Sequence, residues 1–249
     1  MMNNEFYIAF EGFMKSLLIT NPWFLDEQIP MIIIDLNIKT LTKEKMLQLY
    51  PYIEFRHPVD KNYLNINMSK TPEVLKCTYK KLEVFSYYDF DRVVFIDLDT
   101  TIVGDIRGLF EVTTPFAACY GYNLQADKLR HDINSGVFVV NGTKLNEETY
   151  KGLLTVAQQG FSSPDQKTIN FYFRKNITIL DKSYNCEKRM VRSVNFKDVW
   201  ANRKIIHWIS EKPWQEKTQP LNMGFEKIEQ TWWHYYNLSI KKIGEVNGN

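Results

Sequence analysis

Residues 92–101 read RVVFIDLDTT, a run of β-branched and aromatic residues that ends in two aspartates one residue apart and two threonines. A short apolar run without alternation suits a strand buried on both faces of an α/β layer. Layers of that kind place ligands at the carboxyl ends of their strands. Side chains two apart on a strand project to the same face, so the spacing predicts that Asp97 and Asp99 converge on one point there. Two uncompensated carboxylates would repel and raise each other's pKa unless a cation lay between them. A divalent metal is the simplest explanation. The structural alternative is one aspartate capping a turn beside a second that is solvated.

Working outward, Phe6, Ala9, Phe10, Phe13, Met14, Leu17 and Leu18 recur at helical spacing. That pattern stops at Asn21-Pro22, where the proline ring disfavours helix in the residue before it. PMIIID (30–35) then reads as a buried strand, LTKEKMLQLY (41–50) as a helix and YIEF (52–55) as a second strand. Thr71-Pro72-Glu73 opens a further helix, with Thr as cap and an acid near the dipole, running through CTYKKLEVFSYY toward the opening motif. Downstream the pattern loosens into strands at 115–122, 136–141, 178–180 and 204–209, with helices over 146–159 and after Pro164. The fold class predicted is α/β, a mixed Rossmann-like sheet flanked by helices. With no repeat or Gly/Pro/Ser-rich linker, the simplest division is one domain over 1–230, then an aromatic helix and frayed tail over 231–249.

Composition narrows the function classes. The 249 residues carry 31 Lys+Arg against 29 Asp+Glu, a balance of +2 that gives no argument for a nucleic-acid partner. No segment is apolar for the roughly 18 residues a membrane span needs. Three well-separated cysteines, Cys77, Cys119 and Cys186, and the lack of a signal-like N-terminus predict a reducing, cytoplasmic setting.

Two enzyme classes use a D-x-D at a strand end. Phosphohydrolases of the haloacid-dehalogenase type follow a strand with D-x-D-x-T, which DLDTT fits literally. They also need a second acidic pair downstream, and here the later acid in a comparable setting is Asp165. The other class is supported by four ordered stretches: KKLEVFSYYDFDRVVFIDLDTTIVGDIRGLF (80–110), NSGVFVVN (134–141), PDQKTINFYF (164–173) and IIHWISEKPW (205–214). In order and spacing these resemble glycosyltransferase family 8, the glycogenin-like transferases of GT-A architecture.

The resemblance implies a retaining transferase that moves a hexose from a UDP-sugar to a hydroxyl. The acceptor would be a glycan, a lipid-linked sugar or a small polyol, and the cofactor Mn2+, with Mg2+ as the alternative ion. Asp97, Asp99 and His207 match the family's metal ligands, with Leu98 between the two acids lying against the donor. Lys212 matches the lysine on the diphosphate, in a segment held by Pro213 and Trp214. Lys81 matches a basic residue on donor sugar or phosphate. Asn134 and Ser135 match residues that bond sugar hydroxyls, and Asp165 and Gln166 the pair at sugar and anomeric carbon. Phe6 aligns with an aromatic that stacks on uracil, and a homodimer is compatible with the family. Taken alone, each has a bland reading: His207 as a structural histidine, Asn134-Ser135 as a polar turn, Asp165 as a helix cap.

Three departures matter. Ser210 stands where the family pattern has glycine. Only Met1 and Met2 precede the uracil-loop residues, so the first strand is expected to be missing. No tyrosine lies between Glu187 and His207, which speaks against self-glucosylation. A non-catalytic UDP-sugar-binding scaffold, with Trp232, Trp233, Tyr235 and Tyr236 as a contact surface, is the non-enzyme alternative.

Overall fold

A computed structural model describes residues 1–218 and 224–239. Its strands are β1 (Met31–Ile34), β2 (Ile53–Arg56), β3 (Arg92–Ile96), β4 (Thr100–Ile102), β5 (Phe116–Asn123), β6 (Lys128–Asn141), β7 (Thr178–Ile179), β8 (Cys186–Glu187) and β9 (Ile205–His207). They form a two-stranded sheet β1-β2, a four-stranded sheet β3-β6-β5-β7 and a three-stranded sheet β4-β9-β8. The chain groups into two compact units, each drawn from discontinuous segments: 57–96 with 107–182, and 2–56 with 97–106 and 183–249. No helix among the described residues is long and apolar enough to cross a membrane.

In the first unit β6 pairs antiparallel with both β3 and β5. Its core is a stack of rings, with Phe116 and Phe173 at 4.2 Å between centroids and Phe95 and Phe138 at 4.8 Å, near-parallel contacts that add to the area the rings bury. The helix Glu147–Ala157 begins where the Asn146 side chain accepts from Thr149 N, with Glu147 and Glu148 in its first turn. Two expectations change here. Segment 73–86 winds as a 3-10 helix, and Thr71 does not cap it but donates to Phe161 O at 2.7 Å. The strand expected to start at Gly136 starts at Lys128, so Asn134 and Ser135 lie inside β6 rather than at its mouth.

In the second unit the helix Tyr7–Thr20 buries Ala9, Phe10, Phe13, Met14, Leu17 and Leu18, the positions the periodicity marked. Phe6 falls just before it, closing a 3-10 turn. Ser16 Oγ accepts from Ile102 N at 3.0 Å, and Asn21 Oδ1 from Ile106 N at 2.9 Å, which fixes β4 and the residues after it to this helix and its exit. Among the described residues no strand precedes β1: in place of a first strand Met2 forms one isolated parallel bridge with Asp35, its N–H on Ile34 O and its carbonyl taking Leu36 N. Of the expected aromatic tail, Glu226–Asn237 is helical, while residues 240–249 lie outside the described ones.

Candidate functional site

The D-x-D motif does not sit on a strand. β3 ends at Ile96, its last pair being with Val137; β4 begins at Thr100, which pairs with His207. Over 97–99 the chain therefore bends as it passes from one sheet to another, with Thr100 Oγ1 donating to Asp97 O at 2.8 Å. Convergence of the two carboxylates comes from this bend, not from strand periodicity, which corrects the expected cause while keeping the outcome. Leu98, between them, is buried.

Register then brings in the histidine. Thr100 and His207 are partners across β4 and β9, and one residue beyond each Trp208 N donates to Asp99 O at 2.8 Å. The Trp208 indole adds a bond to Thr101 Oγ1 at 2.7 Å. Asp99 and His207 are thus neighbours by ladder geometry, with His207 Nε2 at 3.4 Å from Asp99 Oδ1. One ligand atom from each of Asp97, Asp99 and His207 falls within 4.8 Å of the other two.

The donor set fits a divalent ion. His207 Nδ1 lies 3.0 Å from Asn185 Oδ1; an amide oxygen only accepts, so Nδ1 bears a proton and Nε2 is the ring atom that faces Asp99. Ligand atoms around an octahedral ion with bonds of about 2.1 Å stand roughly 3–4 Å apart, so a small inward movement closes the group. Two carboxylates and one imidazole suit Mn2+ or Mg2+ better than a soft ion.

A cation of the protein's own already leans on this cluster. Lys212 Nζ bonds Asp99 Oδ2, and also donates to Trp208 O at 2.6 Å. Burial alone would raise the Asp99 pKa, but the Lys212 ammonium and then His207 outweigh it and hold this carboxyl well below the usual range. Lys212 is placed by a bend at Ser210, whose φ is +63°. That is the left-handed region, where a side chain costs about 1–2 kcal/mol, and it explains why a glycine suits the position. Here Ser210 Oγ accepts from Arg189 Nη2 at 2.8 Å.

The first unit holds a second charged group. Lys81, only 4% exposed, sets Nζ 2.7 Å from Asp165 Oδ2 and 3.2 Å from Ser135 O, and the Ser135 hydroxyl donates to the same Oδ2 at 2.7 Å. Its ammonium lies 4.9 Å from the Phe95 ring centroid. Burial raises the Asp165 pKa, yet the Lys81 charge and these bonds bring it down overall. Asp165 does not cap its helix: Pro164–Phe173 opens with proline in its first turn, and Asp165 faces Lys81 instead. Asn134 Oδ1 accepts from Gly136 N at 2.9 Å, and Gln166 is half-buried in the same first turn as Asp165. Lys80, the chain neighbour of Lys81, pairs at the surface with Asp60 at 2.7 Å. Phe6, at 43% exposure, is available to stack on a planar ligand.

These motifs and this geometry agree with the sequence profile of Glycosyl transferase family 8, which matches residues 1–218. The chain belongs to that family. Glycogenin-1 of Oryctolagus cuniculus is 30% identical over 201 residues, a match covering 71% of this chain and 56% of the relative. Glycosyltransferase GlyE of Streptococcus pneumoniae is 23% identical over 186 residues, covering 67% of this chain and 43% of the relative. The family 8 chain thus spans about half the length of these relatives. The solved galactosyltransferase LgtC, in complex with donor and acceptor sugar analogs, superposes with a TM-score of 0.71 at 14% identity over 96% of each chain, a likeness of fold. The phosphohydrolase alternative gains no support from these matches.

Sequence reasoning missed Asn185, which orients His207 from the residue before β8, a strand of two residues with no periodicity to read. It also missed Arg189 at Ser210, and a buried ionic group around Glu229 described below. Tyr184 accepts from Lys204 Nζ at 3.0 Å.

Proposed function

We propose that this family 8 chain, with residues 1–230 as its GT-A domain, moves a hexose from a UDP-sugar to a hydroxyl of a glycan or another acceptor. The transfer is Mn2+-dependent and retains configuration. The observation that supports it most is the grouping of Asp97, Asp99 and His207 within 4.8 Å, with the Lys212 ammonium bonded to the same Asp99. A dication bound there would supply Lewis-acid charge to a diphosphate leaving group.

The chain's own residues have separate tasks in this proposal. Asp97, Asp99 and His207 hold the ion, and Asn185 fixes the His207 tautomer. Lys212 places a positive charge where negative charge grows on departing UDP. Lys81, Asn134, Ser135 and Asp165 bond sugar hydroxyls, Gln166 approaches the anomeric carbon, and Phe6 stacks on uracil. The three cysteines form no disulfide, consistent with a reducing, cytoplasmic setting.

The test is a panel of UDP-sugars incubated with the protein and Mn2+, read as UDP released by hydrolysis or transfer. Release in Mn2+ with at least one sugar, lost on chelation and in Asp99→Asn, is the expected outcome. Tight UDP binding without turnover would instead support the scaffold, and phosphate release from a generic ester in Mg2+ without UDP dependence the phosphohydrolase.

A further inference from the structure

The helix Glu226–Asn237 lies outside residues 1–218, where the family profile matches. It nonetheless reaches the segment that presents Lys212, by two contacts. Trp232, fully buried, sets its ring 4.8 Å from that of Trp214, two residues after Lys212. Gly12 of the N-terminal helix abuts the same indole so closely that a Cβ there would stand 2.7 Å from it. The helix is thereby wedged, with no room to slide.

The second contact is ionic. Glu229 is 5% exposed, and its Oε1 is ion-paired, without a hydrogen bond, to Lys217 Nζ at 3.1 Å and Lys188 Nζ at 3.5 Å. Each ammonium group also donates to a backbone carbonyl: Lys188 to Glu211 O at 2.5 Å, and Lys217 to Lys212 O. Those two carbonyls bracket the Lys212 Cα. One buried carboxylate, through two lysines, therefore fixes the peptide planes on both sides of the residue whose ammonium meets Asp99.

Such an arrangement is costly where only stability is at stake. Lys188 is wholly buried, and a buried ion group can often be replaced by apolar side chains without loss of stability. Burial pushes the Lys188 pKa down to about 8 even though Glu229 draws it up. Precise placement is what a packed apolar group would not provide, since carbonyls need donors at fixed directions.

We infer that Glu229 is a positioning residue: with Lys188 and Lys217 it fixes the backbone of Lys212 and so aims that ammonium at the donor diphosphate. The inference rests on the role proposed for Lys212. Misplacement of a reacting group by about 1 Å can cost on the order of 100-fold in rate. Glu229→Gln keeps shape while removing charge, and is expected to lower kcat with UDP-sugar and Mn2+ by roughly 10- to 100-fold, with a smaller change in donor KM, because Lys212 acts on charge that develops during departure. Glu229→Asp is expected to recover part of the loss. In a Lys212→Ala background, Glu229→Gln should add less than about 2-fold, the non-additivity of residues acting through one another.

A lower Tm with kcat unchanged well below it, or full additivity with Lys212→Ala, would overturn the inference. Should Glu229→Gln not fold, Lys217→Met, at the 17%-exposed end of the group, removes one of the two carbonyl bonds and is judged by the same non-additivity. If Lys212→Ala itself leaves turnover unchanged, the role of Lys212 fails; if Lys212→Ala is slow and Glu229→Gln is not, only the positioning role fails.

Discussion

Two charged groups, one in each unit, solve the problem of a buried carboxylate in opposite ways. Asp165 is matched by one ammonium, which also lies over the Phe95 ring, and one hydroxyl, so its charge is answered by the chain itself. Asp99 is met by the Lys212 ammonium, with the Asp97 carboxylate and the His207 imidazole near enough to share one ion. The first group is balanced in charge, which suits it to the fold and, in the proposed reading, to neutral sugar hydroxyls. The second gathers two carboxylates and an imidazole at one point, which in the proposed reading holds a cation.

That contrast yields predictions in descending size. The largest effect falls on activity: Asp99→Asn should reduce transfer by more than about 100-fold in Mn2+, as expected when charge aimed at a transition state is removed. The variant's circular dichroism should remain that of the wild type. Asp97→Asn should be similarly inactive in the same assay.

Next comes stability in the first group. Asp165→Asn leaves Lys81 buried without its counter-charge and should cost about 3–5 kcal/mol, measured by denaturant midpoint. The double variant Asp165→Asn, Lys81→Met should recover most of it. The same pair gives a pH signature. The Asp165 pKa is lower folded than unfolded, so the unfolded chain binds the proton first. Its stabilisation is whole above an unfolded carboxyl pKa of about 4 and is lost as pH falls below that. Asp165→Asn should flatten that acid slope, and a slope that stays unchanged would assign acid unfolding to other carboxylates.

A middle effect concerns the second group. Asn185→Ala frees the His207 tautomer and should weaken metal binding by about 10–100-fold, the usual cost of losing an orienting partner, read by titration calorimetry. The smallest is Ser210→Gly, which relieves a left-handed φ and should stabilise by about 1 kcal/mol, raising Tm by roughly 2–4 °C. The lost Arg189 bond would reduce that gain.

Much of this was legible in the sequence, and the misses have physical causes. The helical spacing of residues 9–18 read correctly because burial imposes that period, and 92–96 is the expected strand although only Phe95 in it is buried and the rest half-buried. Residues 97–99 misread as strand because a bend between two sheets leaves no mark when its residues are Asp and Leu. Asn134-Ser135 reads as a polar turn and 128–133 shows no strand pattern; they are strand because β5 lies alongside to pair with this stretch, a tertiary choice that overrides propensity. The four motifs located every proposed ligand, whereas Asn185 and Glu229 left no pattern, since each acts through a partner distant in sequence. Ser210 is the reverse case: its departure from glycine flagged a backbone demand that its φ of +63° then explained.

The central claim is that Asp97, Asp99 and His207 hold one dication on which a nucleoside diphosphate depends. Calorimetric titration of UDP with Mn2+ present and absent, in wild type and in Asp99→Asn, tests it directly. The expected result is UDP binding that requires about one Mn2+ per chain and vanishes in the variant. Equal UDP affinity without metal, or in Asp99→Asn, would contradict it.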